Sequence, residues 1–114
     1  MIKKLKNLLF KTEKKKLAKE KAKLILAGTS DDRQFFVNNG MMLRTLYELR
    51  DALMNMSDDT FTYHANEQKN DFSMWVKDIH QDYDLAINLL SAKNKNDAAM
   101  LLDKRIVYLE KLTK

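Results

Sequence analysis

The sequence predicts a mostly α protein: a compact bundle of about five or six helices, one short β-hairpin at about residues 35–43, and a long basic helix at the N-terminal end. Three observations carry that prediction. The 114 residues contain no proline and only Gly28 and Gly40, so the residues that most often interrupt helices are nearly missing. Apolar residues recur at i, i+3, i+4 and i+7 in several stretches, the spacing of one buried helix face. Asn39-Gly40, set between two short apolar runs, is the strongest local signal for a hairpin turn.

A chain of this length supports one modest core. It divides into a basic amphipathic helix, residues 1–28, and a small helical domain, 29–114, with a central part at about 35–92 and a last helix at about 97–112. Hydrophobic residues are 45% and charged residues 32%, and no apolar run approaches the roughly 20 residues of a membrane span. Cysteine is absent, which excludes disulfides, thiolate metal sites and a cysteine nucleophile and suits a reducing cytoplasm.

The net charge of +5 is unevenly placed. Residues 1–27 hold ten lysines against Glu13 and Glu20, a local +8, while the rest holds eleven Lys or Arg against fourteen Asp or Glu, a local −3. Such an arm points to an anionic surface or an acidic partner. It consists of good helix formers and ends at Gly28, a natural left-handed C-terminal residue. Ile2, Leu5 and Leu9 share one face, and Phe10, Leu17 and Leu24 recur every seven residues some way round from it. Charged residues at 13, 14, 20 and 21 interrupt any coiled-coil seam, and lysines resume too soon after Phe10 for a signal peptide. The anion-binding candidates are Lys3, Lys4, Lys6, Lys11, Lys14, Lys15, Lys16 and Lys19. Their run reads four ways: a solvated face of a helix packed on the body, an amphipathic membrane contact, a nucleic-acid backbone contact, or a contact with an acidic protein.

After the polar link Thr29–Gln34, the hairpin runs through Phe35-Phe36-Val37 and Met41-Met42-Leu43, with Phe35, Val37 or Met42 turned toward the helices. Thr45 and Glu48 form a capping box that starts a helix at Leu46. Its core face is Leu49, Ala52, Leu53 and Met56, with Met54 and Met56 read as core filler rather than a metal site. Ser57 caps a short helix carrying Phe61, His64 and Ala65, and Asn70 caps the next, whose stripe is Phe72, Trp75, Val76 and Ile79. Asp82 opens a helix that buries Leu85, Ala86, Leu89 and Leu90, and Asn96 or Asp97 opens the last. That helix carries Leu101, Leu102, Ile106, Tyr108, Leu109 and Leu112 and is the expected mate of the basic arm.

Residues 61–75 concentrate aromatic and polar groups: Tyr63, His64, Asn66, Lys69, Asn70, Asp71, Phe72 and Trp75. His64 and Glu67, at i and i+3, could share a metal, but Asp71, Asp78, His80 and Asp82 complete no diagnostic spacing. Structural roles account for the same residues: His64 as an imidazolium at a helix C-terminus, Asn66 and Asn70 as turn and cap, and Trp75 as core with Asn66 or Glu67 receiving its indole N–H. His80, just past the stripe, is expected to be exposed. No catalytic residue, metal or cofactor is assigned.

From Phe36 to about Leu90, above all in the pattern YHxNxxKNDFxxWVxD, the chain resembles a small helical family of unknown function found mainly in archaea and bacteria. The resemblance implies an independently folding helical unit and no activity. The function expected is therefore a non-enzymatic interaction module, in which a body binds a protein partner and a basic helix is drawn to an anionic surface. A nucleic-acid-associated protein is the alternative and would need Tyr47, Tyr63 or Trp75 exposed to stack on bases. A small metal-dependent enzyme centred on His64 stands third.

Overall fold

Helix α1 (Ile2–Leu26) takes 25 residues, about 37 Å of helix, because no residue of the arm opposes helical backbone. The computed structural model describes the backbone from Ile2 and side chains from Lys3 to Lys114, so the expected place of Ile2 on an apolar face lies outside the described side chains. After a 3-10 turn at Asp31–Arg33 come β1 (Phe35–Phe36) and β2 (Met42–Leu43), then α2 (Leu46–Asn55), α3 (Asp58–His64), α4 (Asp71–Trp75), α5 (Tyr83–Leu89) and α6 (Lys95–Leu112). α4 runs straight into a π turn, Val76–His80. Among the described residues the protein is thus six α-helices and one two-stranded antiparallel hairpin.

The helix starts follow the expected side chains. Thr45 accepts the Glu48 N–H while Glu48 accepts the Thr45 N–H, and Ser57, Asn70 and Asp82 accept from Thr60, Ser73 and Leu85. α6 differs: its cap is Asn94, which accepts the Asp97 N–H, so the helix begins at Lys95 rather than after Asn96 or Asp97. Any of these Asx residues can cap, and the one that does is set by where α6 meets its neighbours.

The core is centred on α2 and α6. Leu46, Leu49, Ala52, Leu53 and Met56 face Ala98, Ala99, Leu102, Ile106 and Leu109, all buried. Ala22 and Ile25 near the end of α1 also join this core. α6 therefore pairs chiefly with α2 and also, as expected, with α1, which meets it along its second half, from about Lys15 onward. Leu5, Leu9, Phe10, Leu17 and Leu24 remain exposed. The projecting arm gives a longest dimension of 61 Å and a radius of gyration of 16.7 Å, against about 13 Å for a compact domain of this length.

Several expectations about individual residues are corrected. Gly28 does not take a left-handed conformation; only Gly40 among glycines has positive φ, at 95°. Asn39 has negative φ, and the hairpin register pairs Phe35 with Leu43 and Phe36 with Met42, leaving the three-residue loop 38–40 with Gly40 in the bulge position. That register turns Phe35, Val37 and Leu43 inward and Met42 outward. Met54, Leu90 and Tyr108, expected in the core, are exposed. Leu90 keeps helical backbone at the end of α5 but stands about 140° round from Leu85 and about 100° from Leu89, which turns it off the buried face.

His80 is the largest departure. It is buried, and Ile79 only partly so, because the wider π turn carries the inward face one residue further along than an α-helix would. Gln81 closes the turn at φ 57°, and the N–H groups of Gln81 and Asp82 both reach the Val76 carbonyl.

Candidate functional site

The motif 61–75 lies where the hairpin, α3 and α4 meet. Phe72, almost fully buried, stacks with Phe35 at 5.2 Å and Phe61 at 5.7 Å and lies 5.4 Å from the His64 ring. His64 is itself buried, and both ring nitrogens are engaged. The Asn38 backbone N–H donates to Nε2 at 3.0 Å, so the proton sits on Nδ1, which donates to Asp71 Oδ2 at 3.0 Å. The ring is a neutral bridge between hairpin and α4, in place of the imidazolium expected at a helix end.

Asp71 receives a second charge-assisted bond, from Lys69 Nζ at 2.9 Å to the same oxygen. Burial pushes its pKa up, but the bonds from Lys69 and His64 outweigh that, and the carboxyl lies below its ordinary range. Lys69 also sits 4.9 Å over the ring of Tyr63, which is exposed. Asn66 closes the corner: its Nδ2 donates to the Thr62 carbonyl, its Oδ1 accepts the Gln68 N–H, and its own N–H donates to the Lys69 carbonyl. Asn70 Oδ1 caps α4 and its Nδ2 donates to the Leu89 carbonyl, joining α4 to α5.

A His–Asp pair of this kind is the base-and-orienter half of a hydrolytic triad. Here the nitrogen that would act as base already accepts a backbone N–H inside the core. An open cleft of about 550 Å³ runs along the corner, lined by Asn66, Glu67, Gln68, Lys69 and Asn70, but neither His64 nor Asp71 lines it. No group of three or more His, Asp or Glu that could hold a metal is found among the described residues.

The other aromatic and imidazole groups tie the arm and the link to the body. Trp75 is buried; its indole N–H donates to the Arg33 carbonyl at 2.8 Å, rather than to Asn66 or Glu67. His80 Nδ1–H donates to the Ile25 carbonyl at 3.0 Å, one of the last-turn carbonyls of α1 that lack a helical partner. Its Nε2 is buried without a hydrogen bond. Burial holds its pKa below the ordinary histidine value, against the opposing pull of the Ile25 carbonyl, Asp82 and the Arg44 carbonyl. Asp82, 2% exposed, binds Arg105 through both oxygens, at 2.8 and 2.9 Å, while capping α5.

The second candidate region is the arm. Lys3, Lys4, Lys6, Lys11, Lys14, Lys15 and Lys16 are exposed and Lys19 is half-buried. Among the described residues none of the eight is ion-paired, while Lys14 lies 5.3 Å over the Phe10 ring. Leu5, Leu8, Leu9 and Phe10 are each 61–64% exposed beside them. Two lysines not anticipated from the sequence, Lys111 and Lys114, come close to this region because α1 crosses the end of α6; they share a cleft with Lys15, Lys16 and Lys19. Residues nearly a hundred positions apart carry no mutual signal in the sequence. No helix of the described residues is long and apolar enough to cross a membrane. No family model, no curated protein and no solved structure matches the chain.

Proposed function

We propose that the protein is a non-enzymatic interaction module in which a rigid helical body binds a protein partner and holds out a basic helix that attaches to an anionic surface. The observation that carries this reading is the arm itself: a helix whose packed residues begin near Ala18, so that the preceding lysines project from the body without acidic partners among the described residues. Unneutralised charge held on a preformed helix gives affinity for phosphates or carboxylates at little ordering cost. An apolar outer face of the body, Met74, Tyr83, Ile87 and Leu90 around a cleft of about 330 Å³, is the candidate contact for the protein partner. A peripheral, cytoplasmic place in the cell goes with this reading.

Of the three rings named for the nucleic-acid alternative, Trp75 is buried and Tyr47 is half-buried with its hydroxyl donated to Glu110 at 3.1 Å, which leaves Tyr63 exposed for base stacking. The resemblance of Phe36–Leu90 to a helical family of unknown function, proposed here as a relationship, adds no activity.

Retention of the full chain on a polyanionic matrix tests the proposal. Replacing Lys3, Lys4 and Lys6 by Gln should lower the eluting salt concentration far more than replacing the three body lysines Lys77, Lys93 and Lys104. Equal effects would mean that net charge alone, and not the arm, is responsible.

A further inference from the structure

We propose that one face of α1, together with the end of α6, binds the surface of an anionic lipid bilayer. This rests on the reading of the arm as the surface-attaching element and names the surface. Leu5, Leu8 and Leu9 lie within about 100° of one another on the helix, and continuing in steps of three and four brings Thr12, then Lys15 and Lys16, then Lys19 onto the same side. Phe10 falls on the other side. The face therefore has an apolar tip of three exposed leucines and, about 16 Å further along the helix from Leu8 to Lys19, a cationic end.

The tertiary structure enlarges that cationic end. Lys111, Leu112 and Lys114 close a cleft of about 420 Å³ against Lys15, Lys16 and Lys19, and no Asp or Glu side chain lines it. Five lysines, with Ala18 and Leu112, line this cleft, and among the described residues none of the five is in an ion pair. Lysine stems lie along apolar surface while their heads reach phosphate, which suits the boundary between headgroups and acyl chains. A phosphodiester backbone would satisfy the lysines but leave the leucine tip in water. An anionic leaflet satisfies both parts of the face, and the local +8 of residues 1–27 is complementary to it.

Flotation of the full chain with vesicles tests this. Phosphatidylcholine vesicles containing about one third phosphatidylserine should carry the protein up, and pure phosphatidylcholine should not. The Lys111→Gln/Lys114→Gln variant should bind the anionic vesicles about ten- to thirtyfold more weakly. Leu5→Ser/Leu8→Ser/Leu9→Ser should lose most binding at physiological salt, with the helical circular dichroism of the body retained because all three side chains are exposed. Unchanged binding of the Lys111/Lys114 variant would remove the cleft from the site, and unchanged binding of the leucine variant would remove insertion; either overturns the proposal while leaving the basic arm's role intact. Failure on anionic vesicles alongside salt-dependent binding of single-stranded RNA overturns the lipid surface in favour of nucleic acid. Failure on both overturns the attachment role itself.

Discussion

Removing the Asp82 carboxylate should be the most damaging single change among the polar groups of this protein. Asp82 is 2% exposed and accepts three hydrogen bonds: the Leu85 N–H at 3.2 Å, which starts α5, and Arg105 Nε and Nη2 at 2.8 and 2.9 Å, which fasten α5 to α6. Truncating one partner of a buried ion pair costs about 3–5 kcal/mol, because the other charge is left without compensation. Arg105 retains 22% side-chain exposure and lies 5.1 Å from the Tyr108 ring, so the lower end applies, about 3 kcal/mol. Loss of the cap adds about 1 kcal/mol. Asp82→Ala should therefore lose about 4 kcal/mol, a large part of the roughly 5–15 kcal/mol that holds a domain of this kind folded. Asp82→Asn keeps the volume and the capping oxygen and should lose less, about 2–3 kcal/mol. The assay is urea unfolding by circular dichroism, where Asp82→Ala should bring the midpoint down by at least about 1 M. A cycle with Arg105→Ala should return a coupling of about 2–3 kcal/mol. A loss under about 1 kcal/mol, or a coupling near zero, would refute the assignment of this pair as the tie between α5 and α6.

Four further outcomes are expected. His80 is neutral in the fold with its pKa depressed by burial, so the unfolded chain binds its proton first; its contribution to stability is whole above the unfolded value near 6.5 and declines as pH falls from there toward the folded value. Urea midpoints measured from pH 8 to 5 should fall over that window, and His80→Gln should flatten the decline; a midpoint insensitive to pH there would contradict the buried neutral ring. Gly40→Ala should destabilise by about 1–2 kcal/mol because its φ of 95° disfavours any side chain. Gly28→Ala should be neutral or stabilising by up to about 1 kcal/mol, since its added Cβ would meet Thr45 Cγ2 at an ordinary 3.5 Å and α1 lies just before it; thermal melts of the two variants should move apart. His64→Ala, which strands the Asn38 N–H and opens a cavity beside Phe72 and Phe35, should lose about 2–4 kcal/mol in the same urea assay. A His64→Ala protein as stable as the parent would leave the corner without a structural purpose.

Local chemistry made much of this protein legible in one dimension. The Thr45–Glu48 box and the caps at Ser57, Asn70 and Asp82 depend on residues three positions apart, and the α2 stripe depends on helical spacing, so neither needs knowledge of the rest of the chain. The lysine arm was equally plain, because charge and helix propensity are properties of the segment itself. The motif at 61–75 could be picked out, but its arrangement could not. His64 works through Asn38, 26 residues away, and Trp75 through Arg33, 42 residues away.

What only the tertiary structure decided are the relations that carry no local periodicity. The π turn at Val76–His80 exchanged Ile79 for His80 on the inner face and gave that histidine the last-turn carbonyl of Ile25 to hold. α6 took both α2 and the later part of the arm as partners, and the arm's first half, beyond the reach of α6, kept Leu5, Leu8 and Leu9 in solvent. The crossing of α1 over the end of α6 then put Lys111 and Lys114 beside Lys15, Lys16 and Lys19. Helices and their caps arise from forces acting within four residues, and a sequence records those directly. Which apolar face meets which is settled by competition among all of them for one small core, and the faces that lose that competition are the ones left to meet other molecules.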